Sequence, residues 1–382
     1  MKVRTGAGFT TRARSQFWRA GVALTCLPAP SPRKAAQKKP KATMDDFTKT
    51  LFHPFEAGLL DMPGSAARAL FLNAAPGFVR PQGFEGKIAA VQDFRPDFLA
   101  LKSAGIAVEP EAQGEGYDLA LVLAGRHRGG NELWIAEALD RVRPGGLVVV
   151  AGGKTDGAAS LAKRMAGLGE IEGRASKHHG VVFWLRRGGE SDGVAAALRA
   201  ANPPLVLDGG FRTVPGLFSH ERSDAGSRLL ADSLPAGLKG AAADFGAGWG
   251  YLSVRLAAHA PEVTSIDLFE AGFSACGAAR ANMAALAPQV AARVFWHDLA
   301  AEPVERRYDV IVMNPPFHHG RAAAPAIGEA MIRAASKALK PGGRLHLVAN
   351  RPLPYEAVLQ KHFARHGETV RDERFKVLWA AR

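Results

Sequence analysis

The segment "YDLALVLAGRHRGGNELWIAEALDRVRPGGLVVVAG" (117–152) returns in altered form as "YDVIVMNPPFHHG" (308–320) and "IGEAMIRAASKALKPGGRLHLVAN" (327–350). Each copy runs Tyr-Asp, apolar strand, loop, amphipathic helix, Pro-Gly-Gly, strand. A repeat of this length means that one chain plan is used twice. Short apolar runs alternate with helical spacing in both halves, which predicts parallel, doubly wound sheets. The predicted strands are 67–74, 87–93, 117–125, 145–153 and 180–187, then 242–250, 262–270, 292–299, 308–316, 342–350 and 373–381. The expected fold is α/β, with two tandem Rossmann-like domains born of duplication. At 382 residues the chain can bury two such cores.

The halves differ where chemistry would sit. The second has "DFGAGWG" where the first has "LFLNAAPGF", and "NPPF" where the first has "AGRH". The amino-terminal domain is therefore expected to keep the frame and lack the reaction. The expected division is 1–43 as a basic extension, 44–195 as the degenerate domain and 196–382 as the catalytic domain, with "RRGGESDG" as the link. The net charge of +13 does not by itself argue for nucleic acid. Ten Lys or Arg and no acid lie within residues 1–43, leaving 39 basic against 36 acidic residues elsewhere. Affinity for RNA must then come from local patches. Two cysteines, Cys26 and Cys276, exclude a disulfide framework and suit a cytoplasmic protein. No apolar stretch is long enough to span a bilayer, so no membrane partner is expected. Neither His178-His179 nor His318-His319 has further ligands at metal spacing, and no metal is expected.

"DFGAGWG" places Asp244, Gly246, Gly248 and Gly250 at a strand end before the helix-like "YLSVRLAAHA". Such glycines let backbone approach a ligand closely. The dinucleotide fingerprint is G-x-G-x-x-G, against pyrophosphate. Here the third glycine comes one residue early, as in class I S-adenosylmethionine (SAM) methyltransferases. An acid closing the next strand should bind ribose hydroxyls. Glu270 ends "VTSIDLFE", and Asp267 is its competitor. Asp298, at the end of "ARVFWHD", is the expected adenine contact, its alternative being a turn or helix cap.

Asn314 follows a buried strand and precedes Pro315-Pro316, which hold the backbone extended. The Asn314 side-chain oxygen and the Pro315 carbonyl can both accept, a match for a planar –NH₂ group. Phe317 supplies a face on which a base could stack. A second Asn-Pro-Pro at 202–204 follows no buried strand and is assigned no chemistry.

With these residues, the chain resembles the bacterial ribosomal RNA guanine-N2 methyltransferases of the RsmC and RlmG type. The motifs, in order, are "FRTVPGLFSHERSDAGSRLL", "DFGAGWGYLS", "NPPFHHG", "VANRPLPYEAVLQKHF" and "RFKVLWAAR". They cover about residues 205–382, and 44–190 more loosely. The resemblance implies a seven-stranded class I methyltransferase sheet, SAM as cofactor, and transfer to the N2 amine of a guanine in ribosomal RNA, the small subunit in preference to the large. By analogy Asn314, Pro315 and Phe317 hold the guanine, and Asp244, Gly246, Gly248, Gly250, Glu270 and Asp298 hold SAM. The stretch around Phe218, Asp224 and Ser227 would pack over the cofactor. Arg126 and Arg128, in the loop matching "NPPF", are candidate phosphate contacts. His319 stands where small-subunit members often have Asp, and the basic leader has no family counterpart. The expected partner is ribosomal RNA or a subunit, and the expected state a monomer. Adenine-N6 or protein-glutamine methylation, and a catalytically silent SAM-binding RNA or assembly protein, remain the alternatives at this level.

Overall fold

A computed structural model describes residues 46–316 and 320–382. The first sheet contains β1 (Arg68–Leu72), β2 (Lys87–Val91), β3 (Val108–Glu109), β4 (Tyr117–Ala124), β5 (Val142–Gly153), β6 (Gly173–Lys177) and β7 (Gly180–Arg186). Its order is β3-β2-β1-β4-β5-β7-β6, with β7 antiparallel to both neighbours. A ribbon of β8 (Leu205–Val206) and β9 (Arg212–Thr213) leads onward. The second sheet contains β10 (Lys239–Phe245), β11 (Glu262–Glu270), β12 (Ala291–Trp296), β13 (Tyr308–Met313), β14 (Leu339–Asn350), β15 (Arg365–Arg371) and β16 (Phe375–Ala381). Its order, β12-β11-β10-β13-β14-β16-β15, repeats the first. Both sheets are buried on both faces, and β4 and β13 are accordingly apolar almost throughout.

The repeated Tyr-Asp has a physical reason. Asp118 at the start of β4 accepts from the Arg68 amide of β1 and from Arg143 of β5. Asp309 at the start of β13 accepts from the Ala241 amide of β10 and from Lys340 of β14. In each sheet one carboxylate ties three strands at the edge opposite the glycine loop. The far ends show the divergence. Gln92 follows β2 as Glu270 ends β11, since Leu72 pairs with Val91 and Phe245 with Phe269. Gln92 Oε1 accepts from the Phe94 amide, but its Nε2 donates to the Ala74 carbonyl. Between β1 and β2 no helix intervenes, whereas the helix Tyr251–His259 follows β10. The first domain has thus closed with a neutral amide the place where the second holds a carboxylate.

Two expectations change. The boundary after residue 195 falls inside the helix Ser191–Ala200, whose Val194, Ala195 and Leu198 join the first core. The first unit therefore runs to about residue 200. The sheet edges β3, β6 and β15 lack the apolar rhythm that marked the other strands, because their side chains are largely solvated. The extension 1–43 lies outside the described residues, as do Phe317, His318 and His319. His178 and His179 form the β6–β7 turn, both with positive φ. Asn202 is buried and donates to Glu132 Oε2 at 2.6 Å, a packing role.

The two domains meet beside the carboxyl ends of β11 and β12. Arg95 pairs with Glu302 through two hydrogen bonds, of 3.0 and 2.6 Å, and its guanidinium lies over Trp296. Trp296 is flanked by Phe98 of the first domain and Phe273 of the second. The Asp93 carbonyl accepts from Trp296 Nε1 and from the Phe273 amide, and the Arg95 amide donates to the Ala271 carbonyl.

Candidate active site

The site begins where β10 and β13 end side by side, Phe245 paired with Met313. Gly246, Gly248 and Gly250 have φ of +78°, +54° and +89°, the left-handed region that β-carbon-bearing residues avoid. Packing adds to the constraint. A Cβ on Gly250 would meet Ala279 Cα at 3.3 Å, and one on Gly246 would reach Met331 Cε at 3.2 Å and the Asn314 carbonyl at 3.9 Å. Beside Gly248 there is open space. The loop is pinned from outside: the Gly246 and Ala247 amides donate to the Phe269 carbonyl, and Asn282 Nδ2 donates to the Trp249 carbonyl.

Asp244 is fully buried. Its Oδ2 accepts from Ser253 Oγ at 2.7 Å, and its Oδ1 has no hydrogen-bond partner among the described residues. Burial, against the Ser253 bond and with Glu270 adding repulsion, pushes its carboxyl up to about 7. A buried acceptor without a donor is costly unless a ligand supplies one. Glu270 accepts from the Gly248 amide through Oε2 and the Gly272 amide through Oε1, both at 2.7 Å. Burial raises its pKa as well, the amides opposing. The competitor Asp267 is saturated elsewhere: Arg293, Arg306 and the Tyr308 hydroxyl all bond it at the core of the sheet. Asp298 Oδ1 accepts from the Ala300 amide, a turn-stabilising bond, and the Asp298 amide donates to Glu302. Burial pushes the Glu302 carboxyl up, but its bonds to Arg95 and Asp298 outweigh this and hold it below the ordinary range. The first domain, through Arg95, thereby shapes the Asp298 turn.

Asn314 is half-buried, and its Nδ2 donates to Asp224 Oδ2 at 3.0 Å and to Ser227 Oγ at 2.8 Å. A carboxylate only accepts, so the Asn314 –NH₂ must face Asp224 and its Oδ1 must face away. Asp224 is also the cap of the helix Ala225–Asp232, accepting from the Ser227 amide at 2.8 Å. Asp224 and Ser227, expected over the cofactor, therefore hold the Asn314 side chain, 90 and 87 positions away in sequence. Only a cap-like Asp-x-x-Ser in "SDAGS" hinted at them. Phe218, expected in the same role, is exposed, and its carbonyl accepts from Trp249 Nε1. Pro315 is buried. Tyr355 of the "LPY" motif packs under the helix Gly320–Ala338, where any β-carbon on Gly328 would overlap its hydroxyl.

Arg126 and Arg128 are exposed and ion-paired to Asp156 and Glu132. Between them His127 Nε2 lies 3.2 Å from His220 Nδ1, next to the segment that carries Phe218. Among the described residues no group of three or more His, Cys, Asp or Glu is placed to hold a metal ion, and no helix is long and apolar enough to cross a membrane.

The residues at the end of β10 and β11 fit SAM. The orphaned Asp244 Oδ1 needs a donor, the glycine loop leaves space, and Glu270 keeps lone pairs for hydroxyls. The cost of the raised Asp244 pKa sets a pH dependence. Ionisation disfavoured in the folded protein lowers stability as pH rises from about 4 to about 7. A cationic ligand beside Asp244 favours the ionised form and expels the proton. SAM affinity is then expected to rise by up to roughly tenfold per unit below pH 7 and to level off above it. Titration calorimetry across pH 5.5–8.5 in two buffers checks this: proton release that grows below pH 7 is the expected result, and it vanishes in Asp244→Asn.

Comparison with known proteins agrees with this reading. Residues 208–379 match the family model of the methyltransferase small domain. The chain is 40% identical over 167 residues to ribosomal RNA small subunit methyltransferase C of Klebsiella pneumoniae, covering 44% of this chain and 48% of the relative. The same protein from Escherichia coli is 39% identical over 166 residues, 44% of this chain and 47% of the relative. The chain thus matches about half the length of these relatives. A solved structure covers more: the T. thermophilus 16S rRNA N2 G1207 methyltransferase (RsmC), in complex with AdoMet and guanosine, has a TM-score of 0.72 and 26% identity, over 94% of this chain and 97% of that one. With its doubled seven-stranded sheet and its residues 208–379 matching the methyltransferase small domain, the chain is similar to the RsmC-type class I SAM methyltransferases.

Proposed function

We propose that this protein methylates the exocyclic N2 amine of a guanine in small-subunit ribosomal RNA, using SAM. The observation that carries the reading is the Asn314 amide, anchored by Asp224 and Ser227 beside the glycine loop with its oxygen turned away from both. An exocyclic guanine amine has two protons and a lone pair delocalised into the ring. Asn314 Oδ1, with the Pro315 carbonyl, accepts those protons, orients the lone pair and stabilises the charge that develops on nitrogen. When bound, SAM supplies an electrophilic methyl, its carbon–sulfur bond breaking as the carbon–nitrogen bond forms. The amine proton then leaves to water, so no general base is required. Asp244, Glu270 and the three glycines hold the cofactor, Asp298 its adenine, and Phe317 stacks on the guanine. The small subunit is supported by the names of the relatives and of the T. thermophilus protein. The enzyme acts in the cytoplasm as a monomer, its two domains completing one site within one chain.

The test is incubation with labelled SAM and separated subunits lacking the modification, followed by digestion to nucleosides. Label in N2-methylguanosine from the small subunit is expected; label in N6-methyladenosine or in protein overturns the reading. The first domain then stabilises the catalytic one and adds surface for RNA through Arg126 and Arg128. Arg95 and Glu302 are both largely buried, with 13% and 14% of their side chains exposed. Removing one partner of such a pair strands the other, at about 3 kcal/mol. Arg95→Ala is expected to lower the thermal midpoint by several degrees and to weaken SAM binding through the Asp298 turn, read by calorimetry.

A further inference from the structure

The two domains face each other through equivalent residues. Val91 and Phe269 hold matching places in the two sheets, so Asp93 answers to Ala271, Phe94 to Gly272, Arg95 to Phe273 and Pro96 to Ser274. Phe94 and Gly272 form an antiparallel bridge. Around it the main-chain bonds are reciprocal: the Phe273 amide donates to the Asp93 carbonyl at 2.8 Å, and the Arg95 amide to the Ala271 carbonyl at 2.7 Å. The side chains break this symmetry. The Asp93 carboxylate hydrogen-bonds to the Ser274 hydroxyl and amide. Ala271 has no polar group to return, and Pro96, in the place of Ser274, has no N–H to be capped. The helix Phe273–Leu286 starts after Gly272, which has no side chain for a cap, and its first turn carries no acid. Asp93 therefore supplies, from the other domain, the N-terminal cap that this helix lacks. The turn so secured is the one that carries Glu270. Glu270 accepts from the Gly272 amide, and the next two amides go to Asp93. Burial is the first cause of the raised Glu270 pKa, and the nearby Asp93 charge adds to it. The positive end of the helix offsets part of that repulsion.

We propose that Asp93 is a positioning residue for the cofactor: by capping the helix Phe273–Leu286 across the domain interface, it fixes the Glu270–Gly272 turn and aims the Glu270 carboxylate at the ribose hydroxyls of SAM. The proposal rests on the reading of Glu270 as the hydroxyl contact. It gives the domain without a glycine loop a defined part in cofactor binding, and the part is one-way. The first domain lends a cap and, with Pro96 at the equivalent place, needs none back.

The test is competition against labelled SAM by S-adenosylhomocysteine and by its 2′-deoxy analogue, which share everything but one ribose hydroxyl. The wild type is expected to prefer the hydroxylated ligand by about tenfold or more. Asp93→Ala is expected to bind S-adenosylhomocysteine roughly fivefold more weakly, the scale of one lost helix cap, and the 2′-deoxy analogue within about twofold of wild type. The preference between the two ligands therefore shrinks. Asp93→Asn, whose amide oxygen still accepts from Ser274, keeps both affinities within about twofold. An equal loss for both ligands in Asp93→Ala would make Asp93 a merely structural residue and overturns the proposal, as does an unchanged preference. A fivefold loss in Asp93→Asn overturns it too, since the charge and not the cap would then be at work. Should Asp93→Ala fail to fold, Ser274→Ala, which gives up the hydroxyl and keeps the amide, is expected to reduce the preference about threefold. No reduction there is equally fatal. A wild type that does not distinguish the two ligands defeats the Glu270 reading itself, and the proposal falls with it.

Discussion

Asn314→Ala is expected to lower the rate of methyl transfer by about 10²–10³-fold, the cost of one preorganised polar group at a reacting centre. SAM affinity should stay within about twofold, because in the proposed reading the Asn314 side chain meets the amine and only its backbone carbonyl lies near the cofactor loop. Single-turnover transfer to small subunits, alongside SAM calorimetry, separates the two quantities. A matching loss of both would make Asn314 structural. The sharper companion is Asp224→Asn. Asparagine caps a helix as well as aspartate and can still accept from the Ser227 amide. What changes is the anchor, because an amide can offer donors as well as acceptors to Asn314 Nδ2. The Asn314 side chain is then free to rotate and to turn its own –NH₂ toward the substrate amine. A fall of about tenfold or more in the transfer rate, with the melting temperature held, is the expected result. Wild-type turnover in this variant would remove Asp224 from a positioning role.

Glu270→Gln is expected to weaken SAM by about 10–100-fold, corresponding to loss of a charge-assisted hydrogen bond worth roughly 1.5–3 kcal/mol. The chain contains the comparison within itself. Gln92 occupies the matching position of the first sheet and satisfies its Nε2 on the Ala74 carbonyl. At Glu270 the facing group is the Gly248 amide, a donor, which cannot accept from a glutamine –NH₂. Glu270 also accepts from the Gly272 amide, and a glutamine oxygen can satisfy only one of the two. The substitution therefore sets two donors against each other at Gly248 or at Gly272, besides removing the charge proposed to bind hydroxyls. Equilibrium dialysis with labelled SAM checks the outcome. Unchanged affinity would move the hydroxyl contact to another residue.

Much of the fold was legible because the repeat and the apolar strands are local patterns. β4 and β13 are buried on both faces and read as unbroken apolar runs, and the glycines of 246–250 declare a backbone that other residues adopt only rarely. The edges were not legible: β15, "RHGETVR", is solvated along most of its length, so its sequence carries no burial signal. Nor was the helix that carries the first core past residue 195, since "GGESDG" has the composition of a linker and folds into a helix's first turn.

The sequence by itself determined that this chain is a duplicated α/β protein with one cofactor loop and one Asn-Pro-Pro at a strand end, because those properties are set by neighbours in the chain. Tertiary structure decided what the Asn is attached to. The direction of its amide depends on Asp224 and Ser227, brought to it from 90 and 87 residues away, and no local pattern encodes which end of a symmetric-looking amide faces a carboxylate. The same holds for Arg95, whose ion pair with Glu302 spans 207 positions and joins the first domain to the second.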